Sequence, residues 1–199
     1  LDLSHAPVSL FLIAVTVLTS LGAFSVPGAI ARFGLSPWQM RREGRWYQMV
    51  TSGFLHADLG HLFFNMFTLF FFGPPIERVL GGAGLLIVYL GSMIAGSLLA
   101  FLRHGNDPRY RAIGASGAIS GVLFGFILFE PFARIYIFLL PVGIPAILFA
   151  LGYVAISIFG MRTRLGRIGH DAHLGGAIGG VILTIVLYPD VVRIFLSHF

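Results

Sequence analysis

Gly114-Ala115-Ser116-Gly117-Ala118-Ile119-Ser120-Gly121 separates the polar run Arg103 to Arg111 from an apolar segment ending at Phe129. A hydroxyl flanked by glycines at the mouth of an apolar helix has two uses. It can be a packing device that lets another helix come close, or an exposed nucleophile. The stretch alone supports both, so its surroundings have to separate them.

Those surroundings are a membrane protein. Of the 199 residues 57% are hydrophobic and 11% charged, and the mean hydropathy is +0.90. A soluble domain carries about 25% charged residues. With no cysteine, disulfides, thiolate catalysis and cysteine-ligated metal are excluded. The net charge of +5 comes from 13 basic residues, all arginine. They lie between apolar runs, where headgroup contact explains them better than nucleic acid does.

A helix needs about 20 apolar residues to cross the hydrocarbon core. That measure predicts an all-α membrane protein, one domain over residues 1–199, with six spans at about 8–26, 59–76, 81–102, 112–129, 144–161 and 173–188. The first is too long for a secretory signal core. Pro74-Pro75-Ile76-Glu77-Arg78 and Glu130-Pro131-Phe132-Ala133-Arg134 read as short loops. Pro141 and Pro145 suggest an interfacial segment leading into the fifth span. The long first loop, with Trp38, Arg41, Arg42, Arg45, Trp46 and Tyr47, reads as lying at the membrane interface. No strand system and no soluble second domain are expected.

Polar side chains inside spans cost a few kcal/mol each and usually face a cavity or a partner. Span two carries His61 and Asn65, four apart on one helical face, with His56 and Asp58 just ahead. Span six opens with Gly169-His170-Asp171-Ala172-His173. Spans two, four and six all start on one side of the membrane, so His61, Asn65, Ser116 and His173 share one shallow layer. Gly117, Gly121 and Gly125 form a four-residue ladder, as do Gly175/Gly179 and Gly176/Gly180. If such ladders face each other, the backbones come close and Ser116 and His173 come within reach.

The chemistry this permits is nucleophilic attack by Ser116 with His173 as general base. The Ser116 N–H and the His61 and Asn65 side chains are candidate oxyanion donors. Asp171, two residues from His173, does not share its helical face, so the expectation is a dyad.

These residues resemble the rhomboid family of intramembrane serine proteases. The likeness covers nearly the whole chain: the six-span plan, the long first loop with Trp46, the block from His56 to Asn65, Glu77-Arg78, Gly114-Ala115-Ser116-Gly117 and Ala172-His173-Leu174-Gly175-Gly176. It implies Ser116 as nucleophile, His173 as base, His61 and Asn65 around the oxyanion, and His56 as a structural histidine, with Gly114 and Gly117 leaving room at the serine. It also implies transmembrane protein substrates cleaved in or near a span, often after a small residue, with no metal, ATP or other cofactor. The non-catalytic rhomboid-like proteins that bind transmembrane helices are the alternative; those relatives typically lack the serine or the histidine.

Two positions depart from the family pattern. Many members have Trp-Arg in the first loop where this chain has Trp46-Tyr47-Gln48, so an Arg contact is lost there or supplied by Arg45. Many carry an aromatic residue four after the nucleophile that stacks on the catalytic imidazole; here that position is Ser120, and His173 must be held otherwise. Orientation pulls two ways. Ten arginines (32, 41, 42, 45, 103, 109, 111, 162, 164, 167) lie on the active-site side and only Arg78, Arg134 and Arg193 lie opposite. Positive-inside counting faces the site to the cytoplasm. The resemblance implies a bacterial inner membrane with the site opening to the extracytoplasmic side, and the expectation follows it, with residues upstream of Leu1 carrying orienting charges.

Overall fold

A computed structural model of the protein describes residues 6–136, 142–163 and 169–199. The chain is mostly helical. Helix α1 (Pro7–Ser25) leads into α2 (Ala29–Phe33), α3 (Pro37–Glu43), α4 (Gln48–Thr51) and a 3-10 turn at Ser52–Phe54. Then come α5 (Leu59–His104), α6 (Ser116–Phe129), strands β1 (Arg134–Tyr136) and β2 (Gly143–Pro145), α7 (Ala146–Thr163), α8 (His170–Leu187) and α9 (Val191–Ser197). Four helices, α1, α5, α7 and α8, are long and apolar enough to cross a membrane; α6 is apolar but shorter, at 14 residues.

Helix α5 starts where Asp58, as N-cap, accepts a hydrogen bond from the His61 N–H at 2.8 Å. Pro74 and Pro75, expected in a short loop over residues 74–78, lie inside this helix instead, and the interruption falls at Gly81, with φ 72° and ψ 169°. A proline forfeits one helical N–H bond, a loss that packed neighbours make good in apolar surroundings. A positive φ is what only glycine adopts without strain, so the break sits at Gly81. The two limbs share one core, with Leu62, Met66 and Leu69 from the first and Leu85, Val88, Tyr89 and Met93 from the second.

Just before the break, buried Glu77 reaches the start of α1. Its Oε1 accepts from the Val8 N–H at 2.8 Å, and its Oε2 accepts from the Ser9 N–H and the Ser9 hydroxyl, each at 2.7 Å. Those N–H groups have no acceptor within their own helix, and a carboxylate there also complements the helix dipole. The buried positions Ser9, Leu12, Thr16 and Ser20 form the inner face of α1.

The glycine ladders divide their work. A Cβ added to Gly176 or Gly180 would overlap the backbone of Gly117 or Gly121, so that ladder packs α8 on α6. A Cβ on Gly175 would lie 2.9 Å from the Ala95 carbonyl oxygen, and one on Gly179 2.7 Å from the Ala95 Cβ, so the other ladder packs α8 on α5. Helix α8 therefore sits between α6 and the second limb of α5, in backbone contact with both.

Three expectations need correction. The fourth span was expected from residue 112, yet α6 begins at Ser116, because the residues before it bond to the first loop rather than to a helical turn. Strands do occur: β1 and β2 pair antiparallel, Arg134 opposite Pro145 and Tyr136 opposite Gly143. The Arg134 guanidinium also donates to the Gly143 carbonyl at 2.9 Å. The residue before a proline is disfavoured in the helical region, and Gly143–Pro145 are taken up in pairing with β1, so α7 starts at Ala146. Third, α8 begins at His170 rather than 173, which puts His173 in its first turn. Pro141, Arg164 and Arg167 lie outside the described residues.

In the first loop, Trp46 packs on Phe101 with ring centroids 5.1 Å apart. Gln48 is fully buried; its Oε1 accepts from the Ser36 N–H at 3.0 Å and its Nε2 donates to the Arg32 carbonyl at 3.0 Å. Arg45 pairs with Glu43 at 2.7 Å, so Gln48 rather than Arg45 holds the inside of this loop.

Candidate active site

Ser116 is the first residue of α6, and no side chain caps that helix. Its approach is tied down by backbone bonds. Leu35 and Ala112 pair in both directions, at 2.9 and 3.1 Å, and the Gly114 N–H donates to the Ser52 carbonyl at 3.0 Å. The Ala115 N–H donates to His56 Nε2 at 3.3 Å. The first four N–H groups of a helix have no acceptor within it, so the Ser116 N–H points out of the helix start. Gly114 takes φ 121°, and a Cβ there would come within 2.7 Å of the His61 ring.

His173 Nε2 lies 2.7 Å from Ser116 Oγ. The Gly117–Gly176 backbone contact, next to Ser116 on α6 and about one turn past His173 on α8, holds the two helices at the separation this bond requires. The predicted pair thus meets.

His56 is fully buried ahead of α5. Because Nε2 accepts from Ala115, Nδ1 carries the proton and donates to Ser20 Oγ at 2.9 Å. Burial above all, then the nearby His61, lowers its pKa to about 4 against the opposing pull of Asp58, which keeps the ring neutral and able to accept. The His56 and His61 rings meet edge to face at 4.9 Å. His61 is thereby set beside Gly114 and Ser116. Asn65 is buried one turn further along the same face, where its Nδ2 donates to the His61 carbonyl at 2.9 Å.

Asp171 turns away from the pair, as its spacing predicts. Its carboxylate binds Arg103 Nε at 2.5 Å and His104 Nε2 at 2.9 Å, tying α8 to the end of α5. The His104 ring stacks on Tyr110 at 3.9 Å. Burial, then the Asp171 charge, pushes the Tyr110 phenol up.

The residue that sequence reasoning missed is Tyr153. From α7 its ring stacks on the His173 imidazole, with centroids 5.9 Å apart and planes 22° apart, and its hydroxyl bonds to Ser120 Oγ. The available signal was a lone tyrosine within the apolar residues 146–163.

The Rhomboid domain family matches residues 43–190. The chain belongs to the rhomboid family. Rhomboid relatives include RHOMBOID-like protein 12, mitochondrial, of Arabidopsis thaliana, 34% identical over 152 residues, or 68% of this chain and 45% of that protein. Rhomboid protease GluP of Bacillus subtilis is 31% identical over 158 residues, covering 79% of this chain and 29% of the relative. Putative rhomboid protease YdcA of the same organism is 36% identical over 142 residues, 71% of this chain and 67% of the relative. The chain thus spans about half the length of the first of these rhomboids, under a third of the second and two thirds of the third. It is an integral multi-pass membrane protein, and Ser116, His173, His61, Asn65, His56 and Tyr153 all lie within the rhomboid match.

Two cavities are notable, and only the smaller is lined by a candidate site residue, Ser116. One of about 30 Å³ is walled by small residues including Gly114, Ser116, Gly117, Ala118 and Ala172. The other, of about 670 Å³, lies between the first limb of α5, α6 and α7, with Phe64, Phe67, Phe71, Leu123 and Phe149 in its walls.

Proposed function

We propose that this chain is an intramembrane serine endopeptidase that hydrolyses peptide bonds in or near transmembrane segments of other membrane proteins. The observation that carries it is the 2.7 Å bond between Ser116 Oγ and His173 Nε2 at the uncapped start of α6. Ser116 Oγ attacks the scissile carbonyl carbon while its proton passes to His173 Nε2. Negative charge develops on the carbonyl oxygen, where the Ser116 N–H, His61 and Asn65 are the donors. Collapse expels the amine, which takes the proton from His173 and leaves an acyl-enzyme. Water, deprotonated by His173, then releases the acid and restores Ser116. The 30 Å³ cavity suits a small side chain next to the scissile bond. No metal or other cofactor enters these steps.

In this reading residues 1–199 are one six-span domain. The 46 residues of α5 would measure roughly 69 Å at 1.5 Å per residue, enough for two crossings of a roughly 30 Å core, with the turn at Gly81. The 14 residues of α6 measure only about 21 Å, so its serine end stops below the membrane surface. The N-terminus is cytoplasmic, the membrane is a bacterial inner membrane, and the site opens to the extracytoplasmic side.

Ser116→Ala and His173→Ala should each abolish cleavage of a model single-span substrate by purified protein in detergent, with the fold retained. Undiminished cleavage by Ser116→Ala would end the proposal. A non-catalytic helix-binding protein would bind the substrate equally well with or without Ser116 and cleave it in neither form.

A further inference from the structure

A histidine that serves as a base needs its ring held in one plane as well as its nitrogen in reach of the nucleophile. Among the described residues no carboxylate bonds the His173 ring, because Asp171 is committed to Arg103 and His104. The ring face is covered by Tyr153. Proton accounting orders the bonds behind it. Ser120 has one hydroxyl proton and spends it on the Ser116 carbonyl at 2.6 Å, so in the Tyr153–Ser120 bond the tyrosine donates. A continuous relay therefore runs from the Tyr153 hydroxyl through Ser120 to the backbone of the serine whose side chain meets His173.

Tyr153 comes from α7, of whose 18 residues only Ala146, Ala150, Ser157 and Gly160 are buried. Its ring also meets Phe124 of α6 at 5.5 Å and Phe149 of its own helix at 6.0 Å. Helix α7 rests on the bundle largely through small residues, and Tyr153 is the side chain that carries its position to the site.

We infer that Tyr153 is a positioning residue for His173, delivered from α7 and locked to α6 through Ser120, so that the Ser116–His173 pair is aligned only while α7 is seated. The inference rests on the peptidase reading. The small residue at 120 is its counterpart: Ser120 leaves the space that the Tyr153 ring occupies and accepts its hydroxyl.

The test measures kcat and KM for a single-span substrate with the full chain in detergent, alongside thermal unfolding. Tyr153→Leu should lower kcat by about 10- to 100-fold with KM within about twofold, because misalignment of a base acts on the chemical step. Tyr153→Phe keeps the ring and should stay within about threefold of wild type in kcat. The double variant Ser120→Phe with Tyr153→Leu moves the aromatic ring to α6 and should recover most of the lost kcat. Wild-type kcat in Tyr153→Leu, or equal losses in Tyr153→Leu and Tyr153→Phe, would overturn the inference. If Tyr153→Leu loses its cooperative melt, the double variant decides: a kcat near wild type supports the inference and a kcat down tenfold or more overturns it. Failure of the peptidase reading would show separately, as activity surviving Ser116→Ala.

Discussion

At the scale of single residues, the site is built by side chains that satisfy one another before any substrate arrives. His56 holds the segment ahead of the serine through the Ala115 N–H, and its neutrality lets it accept that bond. Gly114 is required by its φ of 121° and by the His61 ring alongside it. Asn65 spends one amide proton on the His61 carbonyl and keeps a second. If that second N–H meets the oxyanion only as charge develops, Asn65→Ala should lower kcat by up to about 100-fold, roughly 3 kcal/mol or less, while KM barely changes. Steady-state cleavage measures this, and an unchanged kcat would remove Asn65 from the oxyanion site. The intramembrane histidines, the asparagine and the glycine-flanked serine were legible in the sequence because each is costly in lipid. Tyr153 was not, because nothing local distinguishes a stacking tyrosine from one that packs.

At the scale of elements, backbone contact between α6 and α8 sets the distance between serine and histidine. Gly176 has no room for a methyl group, since the Gly117 backbone occupies that space. Gly176→Val should therefore push the helices apart, at a cost of about 1–3 kcal/mol in stability, and reduce cleavage with it. Gly152→Ala on α7 should leave both unchanged, because nothing lies within 4 Å of the added Cβ. Thermal unfolding in detergent and cleavage rate would be read together; a stable, fully active Gly176→Val would refute the close-contact account. The ladders were visible as four-residue spacing. Which ladder met which helix was not, because adjacent glycines on α8 offer two faces and only the packing assigns Gly176 to α6 and Gly175 to α5.

At the scale of the whole molecule, the arginines and the proposed orientation disagree, and topology decides between them. With a cytoplasmic N-terminus and six crossings, Phe199 returns to the cytoplasm. Fusions at Phe199 should then fluoresce with a green fluorescent protein and be inactive with alkaline phosphatase. The reverse pattern would place the site on the cytoplasmic side and favour the arginine count. Hydropathy by itself determined that this is a helical membrane protein, and the polar residues within its apolar runs marked the candidate site, because lipid penalises each buried polar group regardless of its partners. Only the tertiary structure decided where the helices break. Pro74 and Pro75 stay helical and Gly81 turns, because the cost of a missing N–H depends on neighbours that a sequence does not display. The same holds for the stretch from Gly114 to Gly121. Its spacing announced a close helix contact and a candidate nucleophile. That α6 begins at Ser116, and that Ser120 gives way to a ring from α7, followed from bonds to residues 35, 52, 56 and 153, far away along the chain.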